Sequence, residues 1–506
     1  MAGPSKQLKD ETMPLATVFS RAKLGIDAPL ITVEVHLSGG LPAFNIVGLP
    51  EATVRESRDR VRSAIVNSRF EFPVSRITVN LAPADLPKEG GRFDLPIAIG
   101  ILLASGQIPA KSTEGYEFIG ELGLSGELRP VSAALPGAVE AGEANRIMVL
   151  PKGNGGLGSL LPPEQVREAR SLIDVAQYLH GQQDLPLGSD ASDTHRTAAL
   201  PDLIDVKGQT AAKRALEIAA AGAHSMLMSG PPGTGKTLLA SRLPGIMPPL
   251  THAETLDIAK IQSVLGQALD LRRPFRSPHH SASGPALVGG GSPPRPGEIS
   301  KGDLGVVFLD ELPQFSRHVL EVLREPLESG EVIIARATQQ VRYPCRFQLI
   351  AAMNPCPCGY DGDPTRDCKC TPDQIQRYRS KISGPLLDRI DIRITVPRMS
   401  SQELLNAPNG ETSATVQQRV AQARQIQLDR AGKANAQLSA REIDHHCPLD
   451  EACRALITKA EQQLQLSGRA QHRIIKLART IADLAGALSI TPVHIQEALM
   501  YRGVEF

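Results

Sequence analysis

The chain of 506 residues contains no tryptophan, and its aromatic content is only 3%. That scarcity argues against a binding surface that draws most of its energy from stacked bases, because each base needs a ring beneath it. An excess of charge of either sign is also missing. Lysine and arginine number 55 against 54 aspartates and glutamates, a balance that speaks neither for nor against a polyanionic partner. No apolar run reaches the roughly 20 residues of a membrane span. The longest, Leu95 to Ala104, reads as a buried helix or strand, and no membrane partner is expected. The stretch Met1 to Pro14 is polar and lacks the apolar centre of a signal peptide. Seven cysteines, an odd number dispersed over a long chain, do not make the pattern of a disulfide framework. The expected compartment is a reducing cytoplasm.

The length suffices for about three to four domains. After an N-terminal tail over residues 1–16, residues 17–180 mix strand-like and helix-like patterns. Ile31 to Leu37 alternates at the period of a half-buried strand, Val54 to Asn67 carries apolar residues at helical spacing, and Arg76 to Leu81 reads as a further strand. Residues 181–202, rich in Gly, Asp, Ser, Thr and Pro and without a periodic apolar face, are expected to be a linker. Residues 203–397 have the pattern of a doubly wound α/β core. Residues 398–506 are helical in pattern, with Ser413 expected to cap a helix running to Arg430 and Thr491-Pro492 to open another. The fold class expected is therefore α/β and multidomain.

Gly230-Pro231-Pro232-Gly233-Thr234-Gly235-Lys236-Thr237 fits the phosphate-loop pattern, and an apolar run ending at Met226-Leu227-Met228 leads into it while a helical pattern leads out. Glycines let the backbone turn its N–H groups inward on phosphate oxygens, and the helix behind adds its positive end. Lys236 is placed to reach the β- and γ-phosphates of ATP and Thr237 to hold Mg²⁺. Val306 to Leu309 is an apolar strand that delivers Asp310 and Glu311 to the carboxyl edge of the sheet, where such sheets bind ligands. Asp310 would complete the Mg²⁺ shell and Glu311 would orient or activate the attacking water. Phe347 to Met353 ends at Asn354, whose amide can contact the γ-phosphate or the water. Arg389, in Leu386-Leu387-Asp388-Arg389-Ile390-Asp391, reads by itself as a surface ion-pairing residue; on a short loop after a core strand it suits donation to a neighbouring subunit's ATP. Ser467-Gly468-Arg469 opens a helix that also bears Arg473, Lys476 and Arg479. Arg469, or else Arg473, could reach the nucleotide from the helical region; the alternative is an amphipathic helix with a solvated basic face.

Two Cys-x-Cys pairs, Cys356-Pro357-Cys358 and Cys368-Lys369-Cys370, bracket a Gly/Asp-rich loop over residues 356–370. Four thiolates could hold a structural Zn²⁺ with no position open for chemistry; free thiols in a reducing cell are the alternative. Adjacent His279 and His280 point apart on a strand, so a ligand pair is not expected there.

Asp205-Val206-Lys207-Gly208-Gln209, the phosphate loop, Asp310-Glu311, Asn354 and the Leu-Leu-Asp-Arg-Ile-Asp stretch together resemble an AAA+ ATPase. Arg276-Ser277-Pro278-His279-His280-Ser281, Gly289-Gly290-Gly291 and Pro296-Gly297-Glu298-Ile299-Ser300 resemble its magnesium-chelatase-like branch. From Ala16 to Tyr501 the chain resembles the ComM/YifB family of bacterial competence-related ATPases; Lys301 departs from the apolar residue expected before the Asp-Glu strand. The resemblance implies a homohexameric ring with a helical lid, Gln209 among the nucleotide contacts, and a helicase acting on single-stranded and branched DNA. It also implies branch migration during recombination of incoming DNA in natural transformation, with a recombinase as a further partner. In related helicases a hairpin before the Asn-bearing strand enters the ring's channel. Here that is Glu331 to Tyr343, with Arg336 near its tip as the candidate phosphate contact, or else an ordinary hairpin charge. The glycine-rich loop from Gly289 to Arg295 could be a second channel loop.

Pro87 to Pro96 and Gly120 to Val131 resemble the protease domain of Lon and its non-proteolytic relative in RadA. Arg92 stands where the resemblance places a catalytic Ser and Gly137 where it places a Lys. Arginine is no nucleophile and glycine no base, so peptide hydrolysis is not expected. Lys88, Arg92 and Arg129 are candidate DNA contacts there, a solvated surface being the other reading. Two further functions stay open: a chelatase-like ATPase, and a protein-remodelling ATPase without DNA activity.

Overall fold

The computed structural model describes residues 15–48, 54, 56–86, 88–154, 156–188, 200–336, 340–363, 365–408, 410–464 and 467–502. The chain divides into two compact units: the N-terminal part to Thr197 together with Thr255–Leu271, and Ala198–Glu254 together with the chain from Arg272 onward. Residues Thr255–Leu271, in sequence terms inside the expected ATPase core, thus belong to the first unit. Ala259 is buried among Ala134, Leu135 and Ala138 there, and the amide of Leu135 donates to Ser263 Oγ at 3.2 Å.

The strands of the first unit are β1 (Leu15–Arg21), β2 (Leu30–Ser38), β3 (Ala43–Val47), β4 (Arg76–Ala82), β5 (Tyr116–Phe118), β6 (Glu121–Leu122), β7 (Leu128–Arg129), β8 (Ile147–Pro151) and β9 (Val166–Ala169). Seven of them make one mixed sheet in the order β3-β4-β2-β1-β5-β8-β9, while β6 and β7 pair separately. Ile31, Val33 and Val35 of β2 are buried while the residues between them are not, as its alternating sequence dictates. The apolar run expected as helix or strand is the helix Asp94–Ala104, every residue of which is buried. It lies so close to the sheet that a Cβ on Gly100 would stand 2.5 Å from Val35 Cγ2. The first part of the expected linker is docked rather than free: Leu185 is buried, and the amide of Gly188 donates to Val166 O at 3.1 Å. Residues 189–199 lie outside the described residues.

The second unit carries β10 (Met226–Ser229), β11 (Phe275–Arg276), β12 (Gly289–Gly290), β13 (Arg295–Pro296), β14 (Val306–Leu309), β15 (Glu331–Ala335), β16 (Gln340–Pro344), β17 (Gln348–Met353) and β18 (Ile392–Thr395). Its core is a five-stranded parallel sheet in the order β11-β14-β17-β10-β18. The strands β10, β14 and β17 are buried along their whole length, which is why they read as continuous apolar runs instead of alternating. From Ser400 onward every described element is helical. These helices do not stand apart: Val416, Val420, Ile474, Leu477 and Ile481 share one hydrophobic core with the helix Thr210–Gly222 and the sheet. The helix expected to be capped by Ser413 spans Ser413–Ala431 with Thr412 as its cap; Ser413 is its first residue and its hydroxyl instead accepts from the amide of Leu203 at 2.7 Å.

A buried polar cluster ties this helical region to the sheet. His224 Nδ1 donates to Asp391 Oδ2 at 3.1 Å, its Nε2 lies 2.8 Å from Thr480 Oγ1, and Arg473 Nη1 donates to the other Asp391 oxygen. Burial alone would raise the Asp391 carboxyl. The hydrogen bond from His224 and the charge of Arg473 outweigh it and hold the carboxyl well below the usual range.

Candidate nucleotide site

The loop between β10 and the helix Lys236–Ile246 is built by backbone constraints that its glycines satisfy. At Gly230 a Cβ would collide with the carbonyl oxygen of Val396, and Gly235 sits at φ 85, in the left-handed region. Among the described residues the amides of Gly233 and Gly235 donate to no backbone acceptor, so they are available to an anion at the helix N-terminus. Lys236 Nζ curls back over the loop onto Gly230 O at 2.7 Å, Pro231 O at 2.9 Å and Asn354 Oδ1 at 3.3 Å. Burial disfavours its ammonium form and lowers its pKa, with Asp310 opposing the shift. A buried cation whose partners are mostly neutral carbonyls has a standing affinity for a multiply charged anion. Thr234 Oγ1 closes the loop on Pro231 O at 3.1 Å.

Parallel pairing of β14 with β17 and of β17 with β10 carries the acids and the amide to the same sheet edge. Thr237 Oγ1 donates to Asp310 Oδ2 at 2.8 Å, so a hydroxyl and a carboxylate oxygen converge where a hard divalent cation finds oxygen ligands. Glu311 has φ 51, an unusual value for a residue with a side chain, and its amide donates to Asp310 Oδ1 at 2.9 Å. Its carboxylate is exposed and lies 3.3 Å from His280 Nδ1.

The sequence families that match follow this architecture: "Magnesium chelatase, subunit ChlI" over residues 202–404, "Subunit ChlI of Mg-chelatase" over 33–154, and "Magnesium chelatase, subunit ChlI C-terminal" over 410–502. The chain is 51% identical to "Competence protein ComM" of Haemophilus influenzae, over 97% of this chain and 98% of that one. It is 50% identical to "Uncharacterized protein YifB" of Salmonella typhimurium and 49% to the protein of the same name from Escherichia coli, each over 97% of this chain and 98% of the relative. The chain belongs to the ComM/YifB family of magnesium-chelatase-like AAA+ ATPases. Membership of an AAA+ family implies ATP hydrolysis with ATP and Mg²⁺, and the free loop amides, Lys236, Thr237 and Asp310 are a donor set that fits both.

Not every predicted site residue lies at this loop. Gln209 is near the sheet edge, its Nε2 donating to Pro397 O at 3.0 Å. Arg389 does not follow a core strand. It lies in the turn between the helix Gly384–Leu387 and β18, with its side chain 10% exposed, paired to Glu328 at 2.5 Å and hydrogen-bonded to Pro385 O at 2.8 Å. Arg469 is exposed at the start of the helix Gly468–Leu484, and the alternative, Arg473, is committed to Asp391. Two neighbours went unread in the sequence. Arg398, in no motif, donates to Pro232 O at 3.3 Å. His280 lies 3.3 Å from Glu311, a contact that the adjacent histidines by themselves did not indicate; the sole signal was its place in the Arg276–Ser281 stretch.

The two glycine- and arginine-bearing hairpins are brought together. β15 pairs with β16 and β12 with β13. Arg336 Nε donates to Gly291 O at 3.2 Å and the Tyr343 hydroxyl to Pro294 O at 3.0 Å. Arg295, Arg336 and Arg342 are exposed on them; residues 337–339 at the expected tip lie outside the described residues. Lys88 and Arg92 must be corrected as candidate DNA contacts. Both are buried, Lys88 with its ammonium on Pro83 O and Arg92 with Nη2 3.4 Å from Ala133 O, and burial lowers the Arg92 pKa to about 10. Neither cation is available to a phosphate at the surface. Arg129 remains exposed, 3.9 Å from Glu121.

The sulfurs of Cys356, Cys358, Cys368 and Cys370 lie within 4.8 Å of one another and could bind a metal. Amides of Lys369 and Tyr360 directed at Cys358 lower its thiol pKa, while the neighbouring Cys368 and Cys370 thiols are raised. Among the described residues no helix is long and apolar enough to cross a membrane.

Proposed function

We propose that this protein is an ATP- and Mg²⁺-dependent DNA motor that assembles as a homohexamer in the cytoplasm and drives branch migration during recombination of incoming DNA in natural transformation. The name of the relative "Competence protein ComM", at 51% identity, supports the competence role. The observation that carries the DNA half is the joined pair of hairpins, which bear the exposed Arg295, Arg336 and Arg342 within the nucleotide-binding unit. Contacts of this kind read phosphate, not sequence, which suits a motor that must pass over any base.

In this reading the amides of the loop and Lys236 hold the β- and γ-phosphates. Thr237 and Asp310 would hold Mg²⁺, which would neutralise phosphate charge. Glu311 takes the proton of the attacking water, Asn354 fixes that water against the γ-phosphate, and Gln209 and Arg469 complete the pocket from the sheet edge and the helical region. Arg389 acts on a neighbouring subunit's ATP and must first exchange Glu328 for phosphate. The four cysteines hold a structural Zn²⁺. The first unit has the Lon-protease-like fold without its catalytic pair. In support, Arg92 reaches the carbonyl of Ala133, at the start of the helix that carries Gly137. A recombinase and both single-stranded and branched DNA are the partners.

The deciding experiment is ATP-driven dissociation of a labelled four-way DNA junction. Movement by the wild type that is lost in Glu311→Gln is the expected result. ATPase activity indifferent to DNA at low salt, with no movement, would point to a chelatase-like or protein-remodelling ATPase instead. Within the same reading, Arg336→Ala should weaken DNA binding and make the dependence of log K on log salt shallower by about one unit, as loss of one phosphate contact requires. A slope unchanged from wild type would place the contact elsewhere.

A further inference from the structure

The four-cysteine loop leaves one side of the phosphate loop no room to move. Pro231 and Pro232 have no amide hydrogen, so the tip of the loop cannot be tied down by donors of its own. Thr234 Oγ1 and Lys236 Nζ hold Pro231 O from within the loop, and Pro232 is held by what packs on it. Gly359, buried at φ 87 within the cysteine loop, is so close that a Cβ there would lie 2.8 Å from Pro232 Cδ. Arg398 donates to Pro232 O and sits 3.9 Å from Asp363 of the same cysteine loop. On the strand side, Asn354 accepts from Lys236 Nζ, and only Pro355 separates it from Cys356.

The loop itself has little else to order it. Of its described residues only Cys356 belongs to the buried hydrophobic set, and a segment without an apolar core depends on cross-links or metal for its shape. The sulfurs are arranged for metal. Cys356, Cys358 and Cys368 stand 3.3–3.6 Å apart. Ligands about 2.3 Å from a tetrahedral zinc ion are separated by roughly 3.8 Å, so a slight expansion admits the ion. The amides of Gly359 and Cys370 donate to Cys356 Sγ at 3.2 Å and Cys368 Sγ at 3.4 Å, which fixes the direction of both sulfurs. Gly359 therefore does two things: its amide supports a ligand sulfur, and its bare Cα faces the phosphate loop.

We infer that the four-cysteine loop is a metal-dependent brace of the nucleotide site, in which a zinc ion on Cys356, Cys358, Cys368 and Cys370 keeps Gly359 against Pro232 and Asn354 against Lys236. Nucleotide affinity then follows metal occupancy, although no ligand of the metal touches the nucleotide. The inference rests on the reading of the phosphate loop as the ATP site.

The test titrates the purified full chain with a fluorescent ATP analogue in excess Mg²⁺, before and after a zinc-selective chelator and again after zinc is restored. Metal content and thermal unfolding are followed in parallel. The expected result is one zinc per chain and a loss of nucleotide affinity on its removal of about tenfold or more, since a misplacement on the order of 1 Å can cost about a hundredfold. Restored zinc should recover the affinity, and the main unfolding transition should persist throughout. Gly359→Ala should keep its zinc yet bind the analogue more weakly, and added zinc should not rescue it. A chain that takes up no zinc, an affinity indifferent to chelation, or a Gly359→Ala variant with wild-type affinity each overturns the brace. A metal-replete wild type that binds no nucleotide overturns the ATP-site reading first, and the brace with it.

Discussion

Glu311→Gln is expected to lower the turnover of ATP hydrolysis by about 10²–10⁴-fold, the range for loss of a positioned general base, while ATP still binds. The separation follows from geometry. In the proposed site, phosphate affinity resides in Lys236 and the loop amides, and Glu311 is not among the hydrogen-bond partners of Lys236. Its carboxylate is exposed and faces His280. Glutamine preserves the length of the side chain and a hydrogen-bonding partner for His280, but it takes up no proton. Single-turnover hydrolysis measured beside equilibrium binding of an ATP analogue checks both halves. Lys236→Ala supplies the contrast: it should lose binding itself, because the charge-assisted contacts of a buried ammonium with phosphate disappear. Turnover by Glu311→Gln within a few-fold of wild type would remove Glu311 from the role of base.

The second large effect concerns stability. Asp391→Ala is expected to destabilise the second unit by about 3–5 kcal/mol, the usual result of removing one partner from a buried ion pair. Asp391 is 5% exposed, and its loss strands Arg473 and His224 among the sheet, the helix Gly468–Leu484 and the start of β18. Denaturant unfolding at neutral pH measures the deficit. The pH dependence tests its cause. The folded carboxyl is depressed below its ordinary value of about 4, so the wild type holds this contribution in full above that pH and loses it as the pH falls below. The gap between wild type and variant should therefore narrow in acid. A deficit of equal size at pH 7 and at pH 3 would mean that lost packing, not lost charge, accounts for it.

Motifs that are local in sequence were the legible part. The phosphate loop, Asp310-Glu311 and Asn354 each sit at the end of an apolar strand. Parallel strands bring their carboxyl ends to one edge, so strand order alone suffices to gather Lys236, Thr237, Asp310 and Asn354. The cysteine pairs were legible for the same reason, since short spacing limits how far their sulfurs can separate. Charged residues were read less well. Lys88 and Arg92 looked like surface cations because composition does not say which arginine caps a buried carbonyl. Arg389 was assigned to a loop after a strand, whereas a short helix precedes it and Glu328 holds it.

By itself the sequence determined the parallel α/β core, the helical C-terminal region, the place of the phosphate loop and the family, since apolar periodicity and backbone-limited motifs act over a few residues. Only the tertiary structure decided that Thr255–Leu271 belongs to the first unit, that the two hairpins join through Arg336, that His280 faces Glu311, and that Gly359 presses on Pro232. Those contacts link segments distant in the chain, 128 residues apart for Leu135 and Ser263, and they are chosen by steric fit and by the need to pair buried polar groups, which no local pattern encodes.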